Sequence, residues 1–262
     1  MRVHSGRPVL LRRMEAVRVA DSVCLVVPCF NERSRLRVDQ VQLLAAHDRV
    51  SMVLVDDGST DGTLDLLRLI ERDTPRVSVI AVAHNAGKGE AVRAGLASPA
   101  AQQSSWVGYV DADLSTPVAE IVRLLDIASA RTGVDVILGS RVALLGRDVQ
   151  RSAFRHYTGR IFATLASIVL TKPVYDTQCG AKLFRRTDAF ARSIDTPFHS
   201  RWAFDVELLG RLHQAGVPAS GFWEEPLLEW HDIGESRRTL RASLRASADL
   251  LPIWLALRAR GR

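Results

Sequence analysis

The stretch SVCLVVPCFNE at 22–32 decides the fold, because a short apolar run passes directly into a polar cluster. The same change occurs in SMVLVDDGSTD at 51–61, and again where WVGYV at 106–110 meets DAD at 111–113. Short β-branched runs that alternate with longer periodic segments are typical of parallel βαβ units. The sequence therefore predicts an α/β fold with a mostly parallel central sheet flanked by helices.

The same alternation gives the expected elements. Strands are expected at 22–27, 51–55, 77–83, 106–110 and 134–139, and helices at 32–46, 63–74, 88–97 and 117–130. Beyond residue 140 we expect helices at 151–170, 200–215 and 238–257. The first and the last of these are amphipathic with a basic flank, which suits a membrane surface. For 151–170, a helix packed against the core is an equal alternative.

Composition limits the class of protein. With 262 residues, of which 47% are hydrophobic, the chain can form one sizeable core. Its three cysteines lack metal-ligand spacing and are odd in number, so we expect a reducing cytosol and no disulfide framework. The net charge of +6 is concentrated at the two ends, which suits either solvated termini or an anionic bilayer.

Several other classes are disfavoured by what the sequence lacks. It contains no recognition motif for nucleic acid, so no nucleic-acid partner is expected. Its apolar runs fall far short of the roughly 20 residues that span a bilayer. Residues 1–20 have no continuous apolar stretch, which argues against a signal peptide.

The polar clusters at the strand ends predict a ligand site, because ligands of open α/β sheets bind beyond the carboxyl ends of the strands. Asp111 and Asp113 stand two apart, so one loop can direct both carboxylates at a hard cation such as Mg²⁺ or Mn²⁺. NAGKG at 85–89 offers backbone N–H groups and Lys88 to an anion. At DDGS (56–59), a turn followed by a helix is the alternative to nucleotide binding.

Taken in order, these motifs resemble those of family 2 glycosyltransferases. The motifs are VPCFNE (27–32), VDDGSTD (55–61), NAGKG (85–89), DAD (111–113) and GSR (139–141). The second half, with DTQCGAKLF (176–184), RWAFDVELL (201–209) and EWHDIGESR (229–237), resembles the dolichyl-phosphate glucosyltransferase branch and its bacterial polyprenyl-phosphate relatives. The resemblance covers residues 23 to 257.

An inverting enzyme of GT-A type, with a Rossmann-like sheet, is the fold and mechanism that this resemblance implies. The expected parts are a flexible basic extension at 1–21, the GT-A catalytic domain at 22–237, and a basic amphipathic helix and tail at 238–262. The residues expected to line the nucleotide-sugar pocket are Pro28, Asn31, Glu32, Asp57, Lys88, Asp111 and Gln178. Asp111 and Asp113 are expected to hold Mg²⁺ or Mn²⁺. Related mannosyltransferases have a further ligand, a glutamine, where this chain has Ser115.

The implied reaction is metal-dependent, inverting transfer of a hexose, with glucose favoured, from a UDP-sugar to a polyprenyl phosphate. The protein is then expected in the cytoplasm, peripheral at the inner face of the membrane. Arg141 would meet the acceptor phosphate, with Arg151 or Arg155 as a second contact, since a guanidinium can bind phosphate oxygens in pairs. A phosphate monoester is ionised near neutral pH and needs no strong base.

Other functions remain open at this stage. A hydroxyl acceptor in a polysaccharide or natural product would need a general base, for which Asp205 and Glu207 are the candidates. These two carboxylates can equally serve to fix a helix and a loop near Trp202. A noncatalytic scaffold or membrane adaptor with the same fold is disfavoured, because Asp111, Asp113 and Lys88 are intact.

Overall fold

A computed structural model describes residues 22–150, 153–231 and 246–260, with side chains described from Tyr157 onward in the helix that begins at Ala153. The expected extension at 1–21 and residues 232–245 therefore lie outside the described residues. The same holds for Arg151 and for the side chain of Arg155, so their expected contact with an acceptor stays a prediction.

Nine strands of the described residues form two sheets. They are β1 (Val23–Cys29), β2 (Val50–Asp56), β3 (Val77–Ala81), β4 (Trp106–Val110), β5 (Val136–Ser140), β6 (Asp148–Gln150), β7 (Ala181–Arg185), β8 (Phe222–Pro226) and β9 (Glu229–His231). Seven of them make the central sheet in the order β3-β2-β1-β4-β7-β5-β8, while β6 and β9 pair in parallel as a small second sheet. Only β7 runs antiparallel to its neighbours in the central sheet. The expected mostly parallel sheet is confirmed.

The helices of the described residues connect these strands. They are α1 (Val38–Ala45), α2 (Thr63–Asp73), α3 (Lys88–Leu96), α4 (Pro99–Gln102), α5 (Val118–Ala130), α6 (Ala153–Leu170), α7 (Asp188–Ser193), α8 (Phe204–Gln214) and α9 (Leu250–Arg260). A short 3₁₀ turn at Ala219–Gly221 precedes β8. No helix of the described residues combines the length and the apolar character needed to cross a membrane.

The central sheet separates two apolar layers. Alternate residues of a strand point to opposite faces, so Leu25 of β1 packs with α1, α2 and α5 while Val26 packs with α3 and α8. The buried faces of α6 and α9 complete the second layer. Helices therefore cover both faces of the sheet, which leaves the carboxyl edge of the strands open for a site.

Two expected boundaries differ from the structure for an identifiable reason. The first helix, expected at 32–46, begins at Val38, because the backbone N–H of Glu32 donates to Thr63 Oγ1 at 2.8 Å. The chain before Val38 is thus held against the loop after β2. The helix expected at 200–215 begins at Phe204, since the preceding residues cover the turn at 85–89, with Gly89 N–H donating to Arg201 O at 3.1 Å.

Candidate active site

The carboxyl ends of β1, β2 and β4 meet at one edge of the sheet. These strands are parallel neighbours, with Cys29 of β1 beside Asp56 of β2, and Val26 of β1 beside Tyr109 of β4. The polar residues that follow each strand are therefore brought together. This is the arrangement that the three strand-end clusters predicted.

Asp57 anchors the glycine-containing turn at 85–89. Its two carboxylate oxygens accept hydrogen bonds from the backbone N–H groups of Ala86 and Gly87, each at 2.8 Å, and the side chain is buried. Hydrogen bonds to an ionised acceptor are among the stronger ones in proteins. Asp57 therefore fixes the turn from which Lys88 extends.

Asn31 and Glu32 tie the end of β1 to the loop after β2. Asn31 has a positive φ of 54°, and its Oδ1 accepts from the backbone N–H of Thr60 at 2.9 Å. The carboxylate of Glu32 pairs with Arg35, whose Nε donates to it at 2.9 Å. Both expected pocket residues thus stand at the site edge, together with Pro28 at the end of β1.

Lys88 and Asp111 form the centre of the cluster. Lys88 Nζ lies 2.5 Å from Asp111 Oδ1, and both side chains remain accessible from the edge of the sheet. The backbone N–H of Asp111 donates to the carbonyl of Gly180 at 3.0 Å. A Cβ on Gly180 would lie 2.2 Å from Asp111 Oδ2, so glycine is required for the close approach of this segment to the carboxylate.

Asp113 lies in the turn that follows. Its Oδ1 accepts from the backbone N–H of Ser115 at 3.0 Å, and the intervening Leu114 has a positive φ of 48°. Burial raises the pKa of the Asp113 carboxyl and the charge of Asp111 raises it further, whereas hydrogen bonds from Ser115 and the charge of Lys88 act in the opposite direction. Two carboxylates thus disfavour each other's ionisation, which an added cation would relieve.

The donor set at Asp111 and Asp113 fits a hard divalent cation. Carboxylate oxygens suit Mg²⁺ and Mn²⁺, and one or two protein carboxylates are enough when phosphates and waters supply the other ligands. Among the described residues there is no cluster of three or more histidine, cysteine or acidic side chains able to hold a metal. A pair of carboxylates leaves coordination positions that diphosphate oxygens and waters can fill.

Arg141, expected at the acceptor phosphate, is paired with Asp176. Arg141 Nε and Nη2 donate to the two carboxylate oxygens at 2.7 and 2.8 Å. Burial acts to lower the pKa of Arg141, but the charge and hydrogen bonds of Asp176 outweigh it and raise the pKa, with Asp111 also contributing. The pair lies close to the DAD loop at 111–113, because Gly180, four residues after Asp176, accepts a hydrogen bond from the backbone N–H of Asp111.

The two candidate bases lie in buried ion pairs. Asp205 accepts a hydrogen bond from Tyr109 Oη and lies 3.0 Å from Lys182 Nζ. Glu207 lies 2.6 Å from Arg211 Nη2. These contacts favour the alternative in which the two carboxylates fix a helix and a loop. Asp205 ties α8 to β4 and β7, and Glu207 holds the preceding loop, since it accepts from the backbone N–H of His199 at 2.8 Å.

Sequence reasoning did not single out Lys182, although it lies in the motif DTQCGAKLF. It is fully buried in β7, it donates to the carbonyl of Cys179, and burial lowers its pKa to about 8. Asp176 was likewise missed, and so was Arg201, whose Nη2 donates to Asn85 O at 2.9 Å above the turn at 85–89. Their places within the quoted motifs were the only available signal.

Cys179 packs in the interior of the protein, beside the candidate site. Its side chain is fully buried, and burial raises its thiol pKa to about 11. Gln178, expected in the donor pocket, adjoins it, and its backbone N–H donates to Asp176 Oδ1 at 3.3 Å. The DTQCG segment thus bridges the Arg141 pair and the Asp111 carboxylate.

Comparison with known proteins agrees with this geometry. The model of the family "Glycosyl transferase family 2" matches residues 24–190. The chain belongs to glycosyl transferase family 2. It is a glycosyltransferase, and both the family and the dolichyl-phosphate glucosyltransferase branch that the motifs resemble are confirmed.

Individual relatives of this family 2 enzyme extend the likeness over most of the chain. The dolichyl-phosphate β-glucosyltransferase of Drosophila melanogaster is 32% identical over 249 residues, which are 88% of this chain and 74% of the relative. The Homo sapiens protein of the same name is 32% identical over 246 residues, covering 88% of this chain and 70% of the relative.

Solved structures agree in fold. Glucosyl-3-phosphoglycerate synthase from Mycobacterium tuberculosis, in complex with Mn²⁺, UDP and glucosyl-3-phosphoglycerate, superposes with a TM-score of 0.70 at 18% identity. The match covers 97% of this chain and 86% of the synthase. At this identity the likeness concerns the fold alone, and it confirms the expected GT-A type.

Proposed function

We propose that this enzyme transfers glucose from UDP-glucose to a polyprenyl phosphate of dolichyl type, with inversion and with Mg²⁺ or Mn²⁺ as cofactor. The observation that carries the proposal is the cluster of Lys88, Asp111 and Asp113 at the carboxyl edge of the sheet. It joins one cation and two carboxylates where a nucleoside diphosphate would sit. Relatives named as dolichyl-phosphate β-glucosyltransferases support the choice of sugar and acceptor.

The donor diphosphate would bind between the turn at 85–89 and the DAD loop. Asp57 holds that turn through two backbone N–H groups, so Lys88 is presented from a fixed position. Lys88 then neutralises part of the negative charge that the leaving UDP develops, at a site prepared before the donor arrives. A glucosyl-3-phosphoglycerate synthase of the same fold was solved with Mn²⁺ and UDP-glucose, which supports this donor.

Asp111 and Asp113 would hold the divalent ion. The ion, when bound, supplies Lewis-acid stabilisation of the departing diphosphate. The residues of the chain keep its ligands in place: Gly180 packs against Asp111, and the N–H of Ser115 binds Asp113. Ser115 replaces the glutamine of related mannosyltransferases, so waters and donor oxygens would complete the shell.

An acceptor that is already ionised fits the rest of the site. Asp205 and Glu207, the two candidate bases, are engaged in buried ion pairs, and a phosphate monoester needs neither of them. Arg141 would orient the acceptor phosphate while its own geometry is fixed by Asp176. The enzyme would accelerate the attack chiefly by positioning and by charge stabilisation.

A lipid acceptor also implies where the enzyme works. We place it in the cytoplasm, as a peripheral protein at the inner face of the membrane. UDP-glucose is water soluble whereas a polyprenyl phosphate lies in the bilayer, so the site must reach the headgroup region from the aqueous side.

An acceptor panel tests this function. The purified chain is incubated with labelled UDP-glucose, Mg²⁺ and either a short-chain polyprenyl phosphate, the matching polyprenol, or a soluble oligosaccharide. We expect label in the lipid phosphate alone. Label only in the polyprenol or the oligosaccharide would support the hydroxyl-acceptor alternative, and no label with any donor sugar would support the noncatalytic one.

A further inference from the structure

Two helices of the second layer expose apolar side chains on the same side of the molecule. We define the docking face as six residues: Tyr157, Ile161, Leu165 and Ile168 of α6, with Leu251 and Leu255 of α9. The least exposed of them, Leu165, still has 40% of its surface accessible. Contiguous apolar patches on a protein surface commonly mark sites of interaction with another protein or a membrane.

Each helix has a second apolar face, which is buried. In α6 the buried residues include Phe162 and Ala166, and in α9 they include Ile253 and Leu257. The buried faces suffice to pack both helices against the core, so the exposed apolar residues are not needed for folding. A helix that is apolar on both sides requires a second apolar environment.

The two halves of the docking face are continuous. A groove of about 270 Å³ lies between the helices and is lined by Leu165, Ile168 and Val169 from α6 and by Leu251 and Trp254 from α9. The indole of Trp254 carries the guanidinium of Arg258 at 3.9 Å from its ring centre. An aromatic ring that lies against a cation is suited to the boundary between apolar chains and charged headgroups.

The charge of the two helices indicates what kind of partner binds the docking face. Neither α6 nor α9 contains an aspartate or glutamate, and their arginines are Arg155, Arg160, Arg258 and Arg260. A second copy of this face would bring like charges together, which is unfavourable. An anionic bilayer complements both features, because it accepts apolar side chains and attracts arginines.

We infer that the docking face seats the enzyme on an anionic lipid bilayer, with α6 and α9 in the plane of the headgroups. The inference rests on the proposed lipid-phosphate acceptor and names the surface by which the enzyme would reach it. The amphipathic helix at 151–170 then serves both of the roles that its sequence allowed, since one side packs in the core and the other meets the membrane.

The face is joined to the candidate active site by a short path. Helix α6 begins three residues after Gln150, the last residue of β6, which pairs with His231 of β9. The backbone N–H of His231 donates to the carbonyl of Ser115, in the DAD loop, at 3.1 Å. Docking of α6 would therefore set the height of the DAD loop above the lipid phosphates.

Cosedimentation with vesicles tests the inference. The purified full chain is mixed with phosphatidylcholine vesicles, with or without phosphatidylglycerol. We expect binding chiefly to the anionic vesicles. The double substitution Ile161→Asp with Ile168→Asp should lower the partition coefficient at least about tenfold. Leu251→Asp with Leu255→Asp, on the other helix, should do the same, so the test does not depend on one variant.

The matched control uses two leucines elsewhere that are exposed to a similar degree. Leu43 and Leu69 lie on α1 and α2, on the opposite side of the sheet, with 56% and 44% of their surfaces accessible. Leu43→Asp with Leu69→Asp should bind vesicles like the wild type. Circular dichroism melts of all three double variants should match the wild type, because only exposed side chains are changed.

The outcomes separate this inference from the proposed function. Wild-type binding to anionic vesicles by the docking face, without sugar transfer to any isoprenoid phosphate, would uphold the face and refute the proposed function. Transfer to a water-soluble short isoprenyl phosphate, with docking-face variants that bind vesicles as tightly as the wild type, would refute the face. Variants that only lower the molecular mass in analytical ultracentrifugation would reassign it to contacts between copies, and this too would overturn the inference.

Discussion

Replacement of Gly180 by alanine should damage catalysis far more than stability. A Cβ there would lie 2.2 Å from Asp111 Oδ2 and 2.3 Å from its Cγ. The carboxylate must retreat by about 1 Å to restore ordinary contact. It is the partner of Lys88 at 2.5 Å and a proposed metal ligand.

The expected magnitudes follow from this displacement. A misplacement of about 1 Å at a reacting site costs about 10²-fold in rate, or about 2.7 kcal/mol of transition-state stabilisation. Because the Asp111 side chain is partly exposed, it can swing toward solvent. Gly180→Ala should therefore lower the free energy of unfolding by only about 1 kcal/mol.

The assay compares kcat/KM for transfer from UDP-glucose with the free energy of unfolding in urea. The matched control is Gly133→Ala: at φ +79° it introduces backbone strain of about 1 kcal/mol, but a Cβ there meets no atom within 4 Å. The two variants should lose similar stability while only Gly180→Ala loses activity. Wild-type kcat/KM in Gly180→Ala would refute the reasoning, because the position of the Asp111 carboxylate would then not matter.

Three further predictions concern buried side chains of the protein. Arg141→Ala should lower the free energy of unfolding by about 3–5 kcal/mol, because it leaves the buried Asp176 carboxylate without its bidentate partner. A decrease of less than about 1 kcal/mol in urea denaturation would contradict this. Asp57→Asn should lower the free energy of unfolding by about 1.5–3 kcal/mol and raise the KM for UDP-glucose, since the amide side chain cannot accept from both N–H groups of the 85–89 turn. An unchanged KM in steady-state kinetics would count against the role of Asp57 in the turn. The thiols of Cys24, Cys29 and Cys179 are all buried, and burial raises their pKa values. A thiol-reactive chromophore should therefore label the native protein slowly and the urea-unfolded protein at all three positions. Rapid labelling of the native protein would contradict their burial.

The sequence was most informative about the parallel half of the fold. Parallel strands connected by helices have a local sequence signature, in which short apolar runs alternate with helical periodicity. The apolar runs that precede Pro28, Asp56 and Asp111 were therefore sufficient to predict a site at one edge of the sheet. The start of α1 was missed because it depends on a contact 31 residues away, between Glu32 N–H and Thr63 Oγ1. Local periodicity contains no information about such a partner.

The antiparallel strand β7 was missed for a related reason. Its second residue, Lys182, is buried together with Ala181, Leu183 and Phe184, which contradicts the usual pattern for lysine. The lysine is tolerated because Asp205 pairs with it from α8. Likewise the partner of Arg141 is Asp176, 35 residues later, so the sequence could suggest a phosphate-binding arginine but not the carboxylate that orients it.

The most direct test of the central claim compares the wild type with Asp113→Ala. Both proteins are assayed for transfer of labelled glucose from UDP-glucose to a polyprenyl phosphate, once with Mg²⁺ and once with excess chelator. The account predicts labelled lipid from the wild type with Mg²⁺, loss of that label with chelator, and at least about a 10²-fold lower rate for Asp113→Ala with Mg²⁺. Vesicle binding and thermal unfolding of the variant should match the wild type, which excludes a folding defect. A rate of Asp113→Ala equal to that of the wild type, whether or not chelator is present, would contradict the assignment of Asp111 and Asp113 as the catalytic metal site.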